Sequence, residues 1–462
     1  MSATVDRGQV SRSLRRTLLG DAEARSIRAE VFRLALPSIG EQLLNMTVGM
    51  VDTYLMGHIS AVALTGVGLS NNMVMLVQTF VMAVATGTTA VVARLIGARE
   101  PETASRVVQQ SLMLGATIGA VLTTLLSIFA VPALRFYRPE PDVLVIGSTY
   151  MRIVAMSFVM QGILWVGTAS LRGAGDTRTP LFLMLGVNAL NIVTSLLFLY
   201  GLGPIPAIGV YGPAVGTAVS MAAGGVVMLV ILARGRCGLR LPRTGWRPDT
   251  SLILRVTNVG LPAAGEQLAM RLGLVMFQRS VAGLGTVAYA AHSVASTGMS
   301  ISFMPGFGFA VASTTLVGQS LGAKDPERAR RTVREAFRVA SLAMGMAGLL
   351  LVLFSRQVMS IFVNDPAVIV LGITPLQILG MVQPISAVSM VYSGSLRGAG
   401  DTRWTLIITA LTMWVLRVPL TMLLVGPLGL AGAWLAMATD NVTRALLFWL
   451  RYRTGRWTKI KV

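Results

Sequence analysis

Apolar stretches of about 20 residues recur along almost the whole of this 462-residue chain, and an α-helix needs about that many to cross a bilayer core of roughly 30 Å. A transmembrane barrel would show short segments of alternating polarity instead, and the sequence has none. Twelve spans fit, near residues 34–56, 63–93, 107–131, 147–170, 180–201, 211–233, 256–278, 286–317, 339–355, 367–395, 404–426 and 429–450. The residue balance agrees. Hydrophobic residues make up 54% and charged residues 13%, about half the charge of a typical soluble chain. The expectation is an all-α polytopic membrane protein.

A formal net charge of +20 could point to nucleic acid, but the basic residues are sorted by side. They gather before the first span (Arg12, Arg15, Arg16, Arg25, Arg28) and in alternate loops: Arg99 and Arg106, Arg172 and Arg178, Arg234 to Arg255, Lys324 to Arg338. The tail adds Arg451 to Lys461, whereas the intervening loops hold chiefly Arg135, Arg138, Arg279 and Arg356. Lys/Arg bias keeps a loop in the cytoplasm. Both termini are therefore expected on the cytoplasmic face of the inner membrane, with lipid and not nucleic acid as the surroundings. Cys237 is the single cysteine, which excludes a disulfide framework and a thiol metal site. Residues 1–30 lack the apolar core and cleavage site of a signal peptide and read as a partly helical cytoplasmic segment.

The chain also repeats itself, a feature to be sought before function is assigned. LRGAGDTR at 171–178 recurs letter for letter at 396–403, an offset of 225. The same offset carries Pro37 to Pro262, GEQL at 40–43 to GEQL at 265–268, and GAREPE at 97–102 to GAKDPE at 322–327. Further on the register slips by five residues, with GVYG at 209–212 matching GLAG at 429–432. The expected organisation is a six-helix bundle over 31–233, a basic linker over 234–255, a second bundle over 256–450 and a basic tail over 451–462. Six crossings are an even number, so the bundles are parallel, pseudo-symmetric repeats about the membrane normal. Transporters so built place their sites between or within the halves. The Gly-rich LRGAGDTR turns can take positive φ, and their Arg and Asp can pair with each other or with neighbouring helix ends.

These blocks resemble the multidrug and toxic compound extrusion (MATE) transporters. LPSIGEQLLNMTVGMVDTYLMGHIS looks like the family's opening helix, with its early proline and its VDT near the outer end. GAREPE and GAKDPE resemble its loops after the second and eighth helices, and LRGAGDTR those after the fourth and tenth. Asn188 and Asn191 match the asparagine pattern of its fifth helix, and Trp414, Arg417 and Pro419 its WVxRxP run on the eleventh. The resemblance implies export of cationic, amphipathic compounds driven by inward flow of H⁺ or Na⁺, and a coupling role for Asp52 with Asn191 and Thr217 near it. Many members carry a second aspartate four residues after the asparagine. Here that position is Ser195, which removes one titratable group.

Ionisable residues inside spans are costly and are functional candidates by default; here the acids are Glu41, Asp52, Glu266 and Asp440. Asp52 lies about four residues from the outer end of helix 1. Ser195 and Thr217 fall near its depth, with Asn191 about one turn lower and Asn188 on the same helix. A buried carboxylate among amides and hydroxyls suits a proton acceptor, since burial raises its pKa, and would equally suit an oxygen-lined Na⁺ site. Glu41 and Glu266 each stand four residues after a helix proline, and Pro37 and Pro262 are hinge candidates because proline removes a backbone hydrogen bond. Glu41 and Asp52 share one helix face, about 16 Å apart. Glu41, Glu266, Asn45 and Met270 are candidates for a substrate cavity; the alternative for the two glutamates is pairing with Arg or water near the cytoplasmic mouth. Asp440 has Arg444 at i+4, and Arg417 is expected to meet carbonyls or an acid.

Nothing points to an enzyme. There is no GxxxxGK[ST] loop and no nucleophile–base constellation, and His58 and His292 lack clustered ligands. No cofactor is expected beyond the coupling ion. The reading is a monomeric secondary antiporter working by alternating access on small cationic substrates. Its rival is a lipid-linked or polysaccharide flippase of the same superfamily, which the few basic residues within spans (Arg152, Arg271, Arg417, Arg444) disfavour.

Overall fold

The computed structural model describes residues 7–201, 206–242 and 244–460, without the side chains of 7–22, 52–54, 56–59 and 61. The first half contains α1 (Arg7–Ile59), α2 (Ala61–Gly97), α3 (Pro101–Arg135), α4 (Pro141–Ala155), α5 (Phe158–Gly173), α6 (Arg178–Tyr200) and α7 (Gly212–Arg234). The second contains α8 (Thr250–Ala282), α9 (Thr286–Gly322), α10 (Pro326–Leu353), the short α11 (Ser355–Phe362), α12 (Pro366–Gly398), α13 (Thr402–Leu411) and α14 (Val418–Arg453). Among the described residues no strand forms, only an isolated bridge between Arg236 and Leu239.

Twelve crossings emerge from these helices. Eight helical elements are long and apolar enough to span a membrane, and α4 with α5, bent by 52°, makes a ninth span. The apolar element Thr402–Arg453 supplies two, because Gly429 (φ 57°, ψ −137°) breaks it and brings Gly432 against the Leu424 carbonyl. The remaining two are α1 and α8, the first helices of the halves. They are less uniformly apolar and carry Glu41 and Glu266. Outward faces are apolar too: Ile128, Leu342 and Leu423 are more than half exposed, as befits helices solvated by lipid.

The N-terminal segment is helical from Arg7, and α1 continues without a break into the first span. Its Ile27, Val31 and Leu34 pack with Ala329, Val333 and Ala336 of α10, in the second half. Ion pairs flank that seam: Arg28 with Glu335 (2.6 Å), Arg328 with Glu30 (3.0 Å) and Arg331 with Glu23.

The repeat governs how the halves meet. Gly97 of α2 faces the Gln319 carbonyl, and Gly322 of α9 faces the Arg94 carbonyl; a Cβ at either would lie 2.0 Å from the opposing oxygen. This is one contact made twice, because each residue and its counterpart are 225 apart. Gly308 against Ala35 and Gly260 against Ala83 form a second such pair. Hydrogen bonds join the bundles at the same end: Thr315 donates to the Arg172 carbonyl (3.0 Å) and Gln319 to that of Gly173 (3.0 Å). The halves are thus clamped where the LRGAGDTR turns lie.

Candidate functional site

Proline explains how those turns grip the first helix. Pro37 has no N–H to give to the Arg33 carbonyl four residues back, and the Thr177 hydroxyl donates to that carbonyl at 3.4 Å. Asp176 accepts from the Arg178 and Thr179 backbone N–H groups (3.1 and 3.0 Å) and from the Thr179 hydroxyl (2.6 Å), which caps α6. Arg236 adds a bond at 3.0 Å. Burial alone would raise the Asp176 pKa; the bonds from Thr179 and the Arg236 guanidinium outweigh it and hold the carboxyl below its usual range. Next to it the Cys237 thiol, 3.6 Å away, is pushed up by burial and then by the Asp176 charge.

Arg172 does not pair with Asp176. It turns back to Glu41 at 2.5 Å, and its repeat counterpart Arg397 reaches Glu266 at 2.6 Å. Glu41 and Glu266 are only 4% and 2% exposed. They sit in ion pairs at the clamped end, the arrangement of the reading in which these glutamates pair with Arg. The two pairs are unequal. Thr409 also donates to Glu266 (3.2 Å), whereas its first-half counterpart is Met184, and the Glu41 Oε2 and Arg172 Nε atoms are buried without a partner. Asn45, one turn beyond Glu41, is exposed, and its counterpart Met270 is half-buried. None of the four lines the apolar cavity of about 560 Å³ between α6 and α7, whose walls include Phe182, Val187, Leu190 and Val227.

The coupling candidates gather on α6 and α7. Asn188, Asn191 and Ser195, spaced three and four residues apart on one helix face, are all buried. Asn191 Nδ2 donates to the Thr217 hydroxyl at 3.1 Å. Asn188 Nδ2, Asn191 Oδ1 and Ser195 Oγ have no partner, an uncommon concentration of unsatisfied buried groups. Ser195 is pressed against Gly216, where a Cβ would fall 2.3 Å from its hydroxyl. The Asp52 side chain, like that of His58, lies outside the described residues. Its backbone position still constrains it. Leu181 of α6 touches Gly40 of α1, and Asp52 is twelve residues beyond Gly40 while Asn191 is ten beyond Leu181. At 1.5 Å per residue both stand roughly 15–18 Å above that contact.

In the second half Arg444 holds Asp440 through two bonds of 2.8 and 2.6 Å, as the i,i+4 spacing predicts. Arg417 approaches the same acid at 3.7 Å. It projects from a π-helical turn, Thr412–Arg417, just before Pro419, where the missing N–H leaves a carbonyl without its helical donor. His292 faces the rings of Phe277 and Trp434, and among the described residues no three His, Cys, Asp or Glu side chains converge as metal ligands.

The MatE family profile matches residues 37–197 and again 262–423, so the two matches begin 225 residues apart, the offset of the internal repeat. The chain belongs to the MATE family. It is 34% identical to a probable multidrug resistance protein NorM of Thermotoga maritima over 97% of each chain. To the multidrug resistance protein PmpM of Pseudomonas aeruginosa it is 26% identical, over 91% of this chain and 90% of that one. Among solved structures, an outward-facing MATE transporter of the MOP superfamily superposes with a TM-score of 0.87 at 23% identity, covering 94% of this chain and 97% of that one. This MATE protein is accordingly a multi-pass membrane transporter of two pseudo-symmetric six-helix bundles. Arg172 and Arg397 were not anticipated as the partners of Glu41 and Glu266, although all four residues obey the 225 offset. Gly97 and Gly322 were quoted only as parts of repeated blocks; their close approach became visible only in three dimensions.

Proposed function

We propose that this MATE protein is a secondary active exporter of cationic, amphipathic drugs or metabolites, exchanged for H⁺ or Na⁺ across the inner membrane with both termini in the cytoplasm. The observation that carries the proposal is the set of unpartnered buried amide and hydroxyl atoms on α6, at the level of Asp52 on α1. A carboxylate beside such groups can take a proton or share a cation, and each event changes the charge buried in the first bundle. The clamp at the LRGAGDTR end supports alternating access, since it gives the bundles one closed end about which to rock. With that end cytoplasmic, as the Lys/Arg sorting argues, this conformation opens outward. The names of the relatives, multidrug resistance proteins, support the substrate class. The test is efflux of a fluorescent organic cation from proteoliposomes under separately imposed H⁺ and Na⁺ gradients. One gradient is expected to drive it, and transport indifferent to both would refute the proposal.

A further inference from the structure

The cavity between α6 and α7 belongs to the outside of the first bundle, not to its polar cluster. At 3.6 residues per turn, the stripe of Phe182, Gly186 and Leu190 lies nearly opposite that of Asn188, Asn191 and Ser195. Phe182 is 67% and Val227 45% exposed, and the neighbouring Leu185, Val193, Val226 and Val230 are exposed as well. Apolar surface of this kind on spanning helices lies against acyl chains. The cavity is a groove in that surface, and a Cβ on Gly186 would meet nothing within 4 Å.

Its length and its charge point to the same occupant. On α6 the lining runs from Thr179 to Leu190, about 16 Å of helix at 1.5 Å per residue, and half of a bilayer core is about 15 Å. The groove therefore has the depth of one leaflet's chains. Arg236 lines its end at the Asp176 turn. That end is basic. Arg178 and Arg234, in the outermost turns of the two helices, and Arg236 and Arg240, in the loop after α7, are all exposed, whereas Asp176 is the only acid between Asp142 and Asp249. Asp176 engages the Arg236 Nε–H, and the side chain remains 55% exposed. The two Nη groups are thus available to a phosphate. The Arg240 side chain lies over Gly235, 3.6 Å from where a Cβ would stand.

We propose that this groove binds an anionic phospholipid of the leaflet at the clamped end, with one acyl chain along Phe182, Gly186 and Val227 and the phosphate on the Arg236 guanidinium. Basic pockets between spanning helices on the cytoplasmic side recognise anionic headgroups in this way. A zwitterionic lipid brings the same chain without the net charge, and a free phosphate ester brings the charge without the chain. The lipid lies next to the turn whose Thr177 grips the α1 carbonyl that Pro37 leaves without a donor. This inference does not depend on the exported substrate or on the coupling ion, and its test does not require transport.

Native mass spectrometry counts the lipids retained by the purified transporter when dioleoyl phosphatidylglycerol or dioleoyl phosphatidylcholine is titrated into the detergent. Phosphatidylglycerol should be retained at lower concentration. Gly186→Leu fills the groove without meeting a neighbour at its Cβ and should remove one phosphatidylglycerol from the retained set. Arg236→Gln should weaken that binding step about fivefold, the effect of one basic side chain near the membrane surface, and leave phosphatidylcholine retention unchanged. If Arg236→Gln fails to fold, Gly186→Leu decides. Glycerophosphoglycerol, the headgroup without chains, should not compete. Equal retention of the two lipids by the unaltered protein, undiminished phosphatidylglycerol in Gly186→Leu, or displacement by the chainless headgroup would overturn the inference.

Discussion

Gly97→Ala with Gly322→Ala tests whether the two glycines let the halves close. Each new Cβ would sit 2.0 Å from a backbone oxygen, and ordinary contact begins near 3.4 Å, so α2 and α9 must separate by about 1.4 Å at each site. The opposing atoms are main chain and cannot swing aside as a side-chain tip would. Overpacking of this kind costs about 1–3 kcal/mol, which shifts a two-state equilibrium by roughly 5–150-fold. Spin labels at Glu102 and Glu327, exposed residues in the first turns of α3 and α10, in a Cys237→Ser background, report the separation by pulsed dipolar spectroscopy. The distance distribution should move to longer values and the protein should melt earlier. Gly68→Ala and Gly186→Ala are the controls, since a Cβ there meets nothing within 4 Å. An unchanged distance distribution in the double variant would refute the reasoning.

Three further outcomes follow from the loops and ion pairs. Glu266→Gln should cost about 2 kcal/mol in denaturant unfolding, more than Glu41→Gln, because Arg397 and Thr409 both converge on Glu266; equal losses would contradict the asymmetry. Asp176→Asn should speed alkylation of Cys237 at mildly alkaline pH, since the Asp176 charge helps hold that thiol protonated; an unchanged rate would count against the contact. The Asp176 pKa is lowered on folding, so its contribution is present above the ordinary value of 3.8 and is lost as pH falls through the lower folded value. The stability gap between unaltered protein and Asp176→Asn should accordingly be open at pH 5 and close under stronger acid.

Span number and duplication were legible because bilayer thickness fixes helix length and because identical letters recur at one offset. The nearness of Asn191 and Thr217 was legible for a similar reason, since helical rise converts sequence position into depth. Partners across the fold were not. Nothing local to Glu41 announces Arg172, because that pairing depends on how α5 meets α1. Arg417 is expected to meet carbonyls or an acid, but that the acid is Asp440 depends on the π-helical turn that carries the arginine. The helical N-terminal segment adds a partner of the same kind, since the sequence does not announce that its apolar stripe of Ile27, Val31 and Leu34 joins the core that contains α10 residues.

Asp52→Asn in proteoliposomes tests the central claim most directly, because asparagine keeps the size and hydrogen-bonding capacity of the side chain but does not titrate. The variant should insert and melt like the unaltered protein and still bind the fluorescent cation, while efflux driven by the imposed ion gradient falls to the level of empty liposomes. Gradient-driven efflux at the full rate in Asp52→Asn would contradict the account and place coupling outside the first bundle's polar cluster.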